Sequence, residues 1–131
     1  MVLELPLPTA DAARLDKGEQ RPKDIQDLKS YVCESVTFHD ASISGRKLRN
    51  GDIESTFKFV LYTEPGVDKL VNMRIEIVSA GQTVGLGFVR NIDAEEGKLA
   101  DGMVRMTVPS SYLAAEKEPT LRITMFVARN D

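Results

Sequence analysis

Apolar and polar residues alternate at every second position in five stretches of this chain. The stretches cover residues 53–63, 70–79, 83–91, 103–108 and 120–128, and a more mixed stretch covers residues 32–43. Successive side chains of a β-strand point to opposite faces, so this period is typical of strands that bury one face and expose the other. The pattern therefore predicts six strands.

The apolar members of each stretch predict the core. A bulge near His39 and Asp40 is expected as well, because Val36 and Phe38 share one face while Ala41 and Ile43 fall on the opposite one. The expected inward residues of the later strands are Phe57, Phe59, Leu61, Val71, Met73, Ile75, Ile77, Val84, Leu86, Phe88, Val104, Met106, Val108, Leu121, Ile123, Met125 and Val127.

Short turn sequences separate the stretches and favour antiparallel neighbours. They are Asn50-Gly51-Asp52, Glu64-Pro65-Gly66, Ala80-Gly81-Gln82 and Asp101-Gly102. Leu3, Leu5 and Leu7 also alternate, and the nearby prolines would confine such a strand to a sheet edge.

Residues 1–30 differ from the rest of the chain. They hold three of the six prolines and two short helical patterns, at 10–17 and 22–31, and a helical turn is predicted at 110–117. We therefore expect an N-terminal segment, residues 1–30, that packs on a β-sandwich domain, residues 31–131. The predicted fold is mostly β, an immunoglobulin-like antiparallel sandwich of six or seven strands with a short helical N-terminal segment.

The charge and hydropathy of the chain limit the classes of partner that can be expected. The chain has 131 residues and a net charge of −3, which provides no basic field for nucleic acid, and its longest apolar runs are of strand length, so membrane insertion is not expected. The lone Cys33 cannot form an intramolecular disulfide. That fits the cytoplasm somewhat better than the cell exterior, but a mature exported domain stays open.

Residues able to perform chemistry are scarce. The chain has one histidine, one cysteine and no tryptophan, and Cys33 and His39 would lie about 20 Å apart on a regular strand. The acidic run at 93–97 lacks the spacing of an EF-hand loop and is interpreted as a solvated turn. We therefore expect no enzyme, no catalytic residues, no metal site and no cofactor.

The solvent-facing positions of the predicted strands show a second pattern. Several strands begin polar and end apolar on the solvent side, at Val60, Tyr62, Val78 and Phe126. Such residues need a cover, which either the N-terminal segment or a homodimer or partner interface would supply. These four residues are therefore candidate binding residues.

Gly85 and Gly87 flank Leu86 within a strand and would leave its outward face bare. They are candidate binding residues for a sugar ring or a partner backbone. The structural alternative is a twisted or bulged edge strand.

Two resemblances to known bacterial modules follow from local motifs. Asp40-Ala41-Ser42-Ile43-Ser44-Gly45, with the later Val84-Gly85-Leu86-Gly87-Phe88, resembles the second motif and a later strand of PilZ domains, which implies binding of cyclic di-GMP. The paired-arginine motif of those domains is missing, because Arg14 and Arg21 have the wrong spacing.

Residues 34–130 resemble more loosely an immunoglobulin-like sandwich, including the polysaccharide-recognising domain attached to O-antigen exporters. The resemblance rests on Gly51-Asp52 before a strand, on the run Ile75-Glu76-Ile77-Val78-Ser79-Ala80-Gly81 and on Val104-Arg105-Met106-Thr107-Val108. It implies a fold rather than a ligand.

The expected function is a non-catalytic recognition or assembly module, which acts through an exposed sheet edge or an outer apolar patch on a protein partner or a second copy. A carbohydrate-binding sandwich and a PilZ-like cyclic di-GMP sensor are the alternatives.

Overall fold

The computed structural model describes residues 2–6, 32–66, 68–109 and 120–129. These residues form two four-stranded antiparallel sheets. The first sheet has the order β1-β8-β5-β6 and the second the order β2-β3-β4-β7. The strands are β1 (Val2–Pro6), β2 (Val32–Cys33), β3 (Val36–Lys47), β4 (Ile53–Thr63), β5 (Lys69–Ser79), β6 (Gln82–Ala94), β7 (Leu99–Val108) and β8 (Thr120–Arg129).

The prediction of a mostly β chain with antiparallel sheets is confirmed. The six long strands are those that alternation predicted, and the short β1 and β2 raise the number to eight within the described residues. β1 is an edge strand with Pro6 at its end, as the alternating leucines indicated. The described residues contain no helix suited to crossing a membrane. The helices predicted at 10–17 and 22–31 and the helical turn predicted at 110–117 lie outside the described residues.

The core lies between the two sheets. Its largest fully buried side chains include Phe57, Phe59, Ile75 and Leu121. The rings of Phe57 and Phe59 lie 5.8 Å apart, and the ring of Phe38 meets Phe59 edge to face at 6.4 Å. Burial of these large apolar side chains supplies most of the driving force that holds the sheets together.

The bulge predicted in β3 is present. The pairing of β3 with β4 shifts between Phe38 and Asp40, and His39 is the extra residue. Val36 and Phe38 before the bulge and Ala41 and Ile43 after it are all buried. The bulge therefore returns both apolar sets to the core, as the change of phase required.

The predicted inward set of β6 is wrong at two positions. Ile77 pairs with Gly85 and Val78 with Thr83, so Val84 is an extra residue that reverses the alternation. Leu86 and Phe88 consequently lie on the outer face, 49% and 51% exposed. The inward positions are taken by Gly85 and Gly87.

These two glycines let β6 pack directly against β7 of the other sheet. A Cβ atom on Gly87 would lie 2.1 Å from Cγ2 of Val104, and one on Gly85 would lie 3.2 Å from Cγ2 of Val108. Only a residue without a side chain fits at the first position. The two sheets are therefore joined along this side by an intimate seam between β6 and β7.

Gly87→Ala is expected to destabilise the fold by about 2 kcal/mol, because the new methyl group overlaps Val104 and forces the seam apart. Gly85→Ala is the matched control. The stability of this variant should stay within about 1 kcal/mol of that of the natural chain. At 3.2 Å the new methyl group is close to Val108 but does not overlap it, and ordering alanine in a strand costs less backbone entropy than ordering glycine. Urea denaturation measures both, and equal losses at the two positions would contradict the seam geometry.

Candidate functional site

The outer face of the first sheet carries most of the exposed apolar side chains. Six large apolar residues are exposed among the described ones, and four of them, Val2, Leu86, Phe88 and Phe126, lie on this face. Scattered exposed apolar residues are normal on a protein surface, whereas a group on one rigid face is typical of interaction sites.

Phe88 and Phe126 lie on either side of the central strand β5. Phe88 pairs with Arg74 on one side and Phe126 with Asn72 on the other. Both rings line a hollow of about 140 Å³, together with Asn72, Arg74 and Arg90. We call these five residues the Phe88–Phe126 surface.

Arginine side chains make this surface locally positive. The guanidinium carbon of Arg90 lies 5.5 Å from the centre of the Phe88 ring, which is a cation–π contact. The pairing of β5 with β6 shifts a second time between Val71 and Met73. There the Oδ1 atom of Asn72 accepts a hydrogen bond of 3.0 Å from the N–H of Asn91, which ties β6 to β5. Phe88 and Phe126 therefore lie on strands that are both hydrogen-bonded to the central strand β5.

Next to the Phe88–Phe126 surface, the same face carries a chain of ion pairs. Arg122 Nε lies 2.7 Å from Glu4, Arg122 also reaches Glu76 at 3.8 Å, and Arg74 Nε lies 3.2 Å from Glu76. The hydroxyl of Thr83 donates a hydrogen bond of 2.7 Å to Glu76. Glu76 is 7% exposed, so this carboxylate is a buried charge on the outer side of the sheet and neutralises part of the charge of Arg74.

The four apolar residues proposed from the outward pattern do not form one patch. Phe126 and Val78 lie on the first sheet, but they occupy opposite ends of it, and Val78 is only 9% exposed. Val60 and Tyr62 are half-buried on the outer face of the second sheet. Of the four, Phe126 alone belongs to the Phe88–Phe126 surface.

Gly85 and Gly87 do not leave a bare outer face. Their missing side chains point into the seam, where Val108 and Val104 fill the space. No room remains there for a sugar ring or a second backbone. β6 is a bulged strand at the edge of its sheet, which is the structural alternative for these glycines.

Sequence reasoning missed Leu86 and Phe88 as surface residues. Strict alternation with Val84 assigns them to the core, whereas the bulge at Val84 reverses the face. The available signal was the glycine pair itself. Two glycines on one face of a strand indicate close approach by a neighbouring backbone or side chain, and that places the intervening residues outside.

A second concave region lies on the outer face of the second sheet. This depression of about 530 Å³ crosses β3, β4 and β7. Asp40 and Asp101 flank Val60 in one cross-strand row, and Ser42 and Met103 flank Lys58 in the next. The depression therefore combines carboxylates, an ammonium group and a hydroxyl with two apolar side chains. Its lining is Asp40, Ala41, Ser42, Lys58, Phe59, Val60, Asp101, Gly102 and Met103.

The acidic run at 93–97 takes part in turn contacts. Glu95 forms an ion pair of 2.6 Å with Lys98, and this hydrogen-bonded carboxylate raises the pKa of Lys98. Glu96 accepts a hydrogen bond from the N–H of Gly66, and its own N–H donates to Asp68 at 3.2 Å. These contacts join the β4–β5 turn to the β6–β7 turn. Within the described parts of the chain, no three His, Cys, Asp or Glu side chains are placed to share a metal ion.

No protein-family model, curated protein or solved structure matches this chain.

Glu76→Gln is expected to destabilise the fold by about 1–2 kcal/mol, because two arginines lose the carboxylate that they share in a buried position. Glu54→Gln is the control, since Glu54 makes one ion pair of 3.4 Å with an Arg46 side chain that is 72% exposed. This second change should cost less than about 0.5 kcal/mol. Urea denaturation measures both variants, and a loss below about 0.5 kcal/mol for Glu76→Gln would show that the network around Glu76 adds little stability.

Proposed function

We propose that this chain is a non-catalytic recognition module that binds a protein partner through the Phe88–Phe126 surface. The proposal rests on the rings of Phe88 and Phe126, which are each more than half exposed and line one hollow on the sheet. Aromatic residues and arginine are the types most enriched in the energetic centres of protein interfaces. Binding would also remove this apolar area from water.

The charges of this surface favour a partner with carboxylates. Arg90 contacts the Phe88 ring, and no ion pair to Arg90 is present among the described residues. Arg74 shares its charge with Glu76 at 3.2 Å. The surface thus keeps a positive excess although the whole chain carries −3. We infer that the partner places an apolar side chain in the hollow and an acidic side chain over Arg90.

The strand order supports the immunoglobulin-like part of the proposal. β3 and β4 form a hairpin with β7 beside β4, while β5 and β6 form a hairpin with β8 beside β5. The chain thus passes between the sheets after β1, β4, β6 and β7, and such crossings are typical of Greek-key sandwiches. Such a fold presents rigid faces and edges, while the ligand depends on the side chains that stand on them.

Selection from a random peptide library on the immobilised chain tests this proposal. We expect the enriched peptides to combine aromatic or aliphatic residues with Asp or Glu. Their affinity should fall at least about 30-fold for the double variant Phe88→Ser/Phe126→Ser, because each ring of an interface centre contributes about 1 kcal/mol or more. The same peptides should lose their preference for acidic residues against Arg90→Glu.

The double variant Leu99→Ser/Met103→Ser is the control, since these apolar residues are 57% and 47% exposed on the other sheet. It should bind the selected peptides as the natural chain does. Equal binding by the phenylalanine variant, with an unchanged melting temperature, would overturn the proposal.

We propose cyclic di-GMP sensing as a second candidate function, on the basis of the depression on the outer face of the second sheet. Asp40 and Ser42, which belong to the segment that resembles a PilZ motif, both line the depression on the second sheet. Lys58 stands between Ser42 and Met103 and supplies a positive charge for a phosphate. Gly85 and Gly87, from the other segment of that resemblance, are packed inside the seam and would not touch a ligand.

Isothermal titration with cyclic di-GMP separates this candidate from the first. If the depression is the site, Lys58→Ala should weaken binding about tenfold, because it removes a charge-assisted contact. Arg105→Ala, an exposed cation of β7 on the same face but outside the depression, should leave the affinity unchanged. No binding at millimolar ligand, or equal losses in the two variants, would remove the candidate.

A further inference from the structure

Three exposed apolar residues form an oblique band on the outer face of the first sheet. Leu86 and Phe88 lie two positions apart on β6, and Phe126 lies on β8, two strands away. Each of the three side chains is about half exposed. We call these three residues the apolar band. Leu86 is not part of the Phe88–Phe126 surface, so the band extends the exposed apolar area beyond the hollow.

The registers of the strands fix the direction of the band. Phe88 pairs with Arg74 of β5, whereas Phe126 pairs with Asn72, two residues away. Strands lie about 4.8 Å apart and rise about 3.3 Å per residue, so the two phenylalanines are rooted about 12 Å from each other. The line between them crosses β5 obliquely and passes over the hollow that both rings line. Leu86 lies about 4 Å further along this line and about 5 Å to one side of it.

We infer that the partner presents an amphipathic α-helix, which lies along the apolar band and carries acidic residues beside Arg90. This inference rests on the proposed function and specifies the form of its protein partner. One large apolar side chain of the helix fills the hollow of about 140 Å³, and its neighbours in the same stripe contact the band. Leu86 thereby becomes part of the contact.

The spacing of the band matches one stripe of a helix. Along the line between the rings, Phe126, the space between the rings, Phe88 and Leu86 lie at about 0, 6, 12 and 16 Å. Residues i, i+4, i+8 and i+11 of a helix lie on one face and are displaced along its axis by about 0, 6, 12 and 16.5 Å. The sideways displacement of Leu86 is smaller than the diameter of a helix with its side chains, which is about 10–12 Å.

An added strand or a second sheet fits this surface less well. A strand added to the edge would lie beside Leu86 and Phe88 of β6 but would not reach across β5 to Phe126. The pairing of β6 with β5 is also interrupted twice, and bulges of this kind turn an edge away from further strands. A second sheet on this face would cover the charged pair of Glu76 and Arg122 as well as the band.

The two sides of the band differ in charge. Arg90 follows Phe88 by two residues, away from Leu86, and in the described part of the chain it makes no ion pair. On the other side, Glu76 stands beside Leu86 and is followed across the sheet by Arg122. Acidic residues on the Arg90 side of the helix are therefore attracted, whereas on the other side they would approach the carboxylate of Glu76.

Fluorescence polarisation with designed peptides tests the inference on the full chain. The probe is a labelled peptide of about 18 residues, long enough to form a helix, with leucine at i, i+4, i+8 and i+11 and glutamate on one flank of that stripe. The control peptide differs only in one central proline on the opposite face, which breaks a helix but is tolerated in an extended chain. We expect the control peptide to bind at least about tenfold more weakly.

Substitutions in the chain test the position of the helix. Leu86→Ser should weaken binding of the helical peptide about fivefold, because an apolar contact is lost. Val2→Ser is the matched control, since Val2 is 60% exposed on the same face but lies on β1, outside the band. It should leave the affinity unchanged, and the melting temperature of each variant reports whether it is folded.

The charged flank is tested by exchanging the glutamates of the peptide for glutamine. This exchange should weaken binding to the natural chain about fivefold and should make little difference to binding by Arg90→Gln. An equal effect on both chains would show that the acidic flank does not face Arg90, and would overturn the inference.

Failure of the helical peptide to bind at millimolar concentration, equal binding of the two peptides, or undiminished binding by Leu86→Ser would each overturn the inference. The proposed function would stand in these cases if the library peptides still required Phe88 and Phe126. A dimer of the chain that is lost in Phe88→Ser/Phe126→Ser would also overturn the inference, and would assign the band to a second copy. If that double variant bound helical and library peptides as the natural chain does, the proposed function would fail as well.

Discussion

The close contact between β6 and β7 decides which side chains of the first sheet face the solvent. Val104 occupies the space that any side chain at position 87 would need. Because β6 must turn its glycines toward β7, the intervening residues Leu86 and Phe88 have no inward position left. The exposed apolar surface of the first sheet is thus a consequence of how closely the two sheets approach, and the bulge at Val84 is the adjustment that permits it.

The local pattern predicted most of the sandwich, because a strand with one buried face needs an apolar residue at every second position. The β3 bulge could be predicted from a change of phase between Phe38 and Ala41, where four apolar residues made both sides visible. The bulge at Val84 in β6 produces no change of phase among the apolar residues, and the glycine pair is its only sign in the sequence. Glycine carries no hydrophobic signal, so the continuation of Val84 through Leu86 and Phe88 looked like a regular strand. The face of β6 is set by Val104 and Val108, which lie about 20 residues further along the chain.

The candidate sites were harder to predict for a related reason. Alternation tells which residues share a face of one strand, but it does not tell which strands share a sheet. Val60 and Phe126 are equally outward by pattern, yet they stand on opposite sides of the sandwich. The partnership of Glu76 with Arg122 and Glu4 likewise joins three strands that are distant in sequence, and neither spacing nor composition indicates it.

The first sheet cannot be completed until β8 has been synthesised. β8 is the last described strand in sequence, but it lies inside the first sheet, between β1 and β5. During synthesis, β1 and β5 must therefore wait for their common neighbour, which emerges more than 40 residues after β5 ends. The second sheet needs no strand beyond β7 and can assemble earlier. Folding of this chain is thus expected to finish after translation has passed residue 129, with the insertion of one strand into a gap that is already lined by its partners.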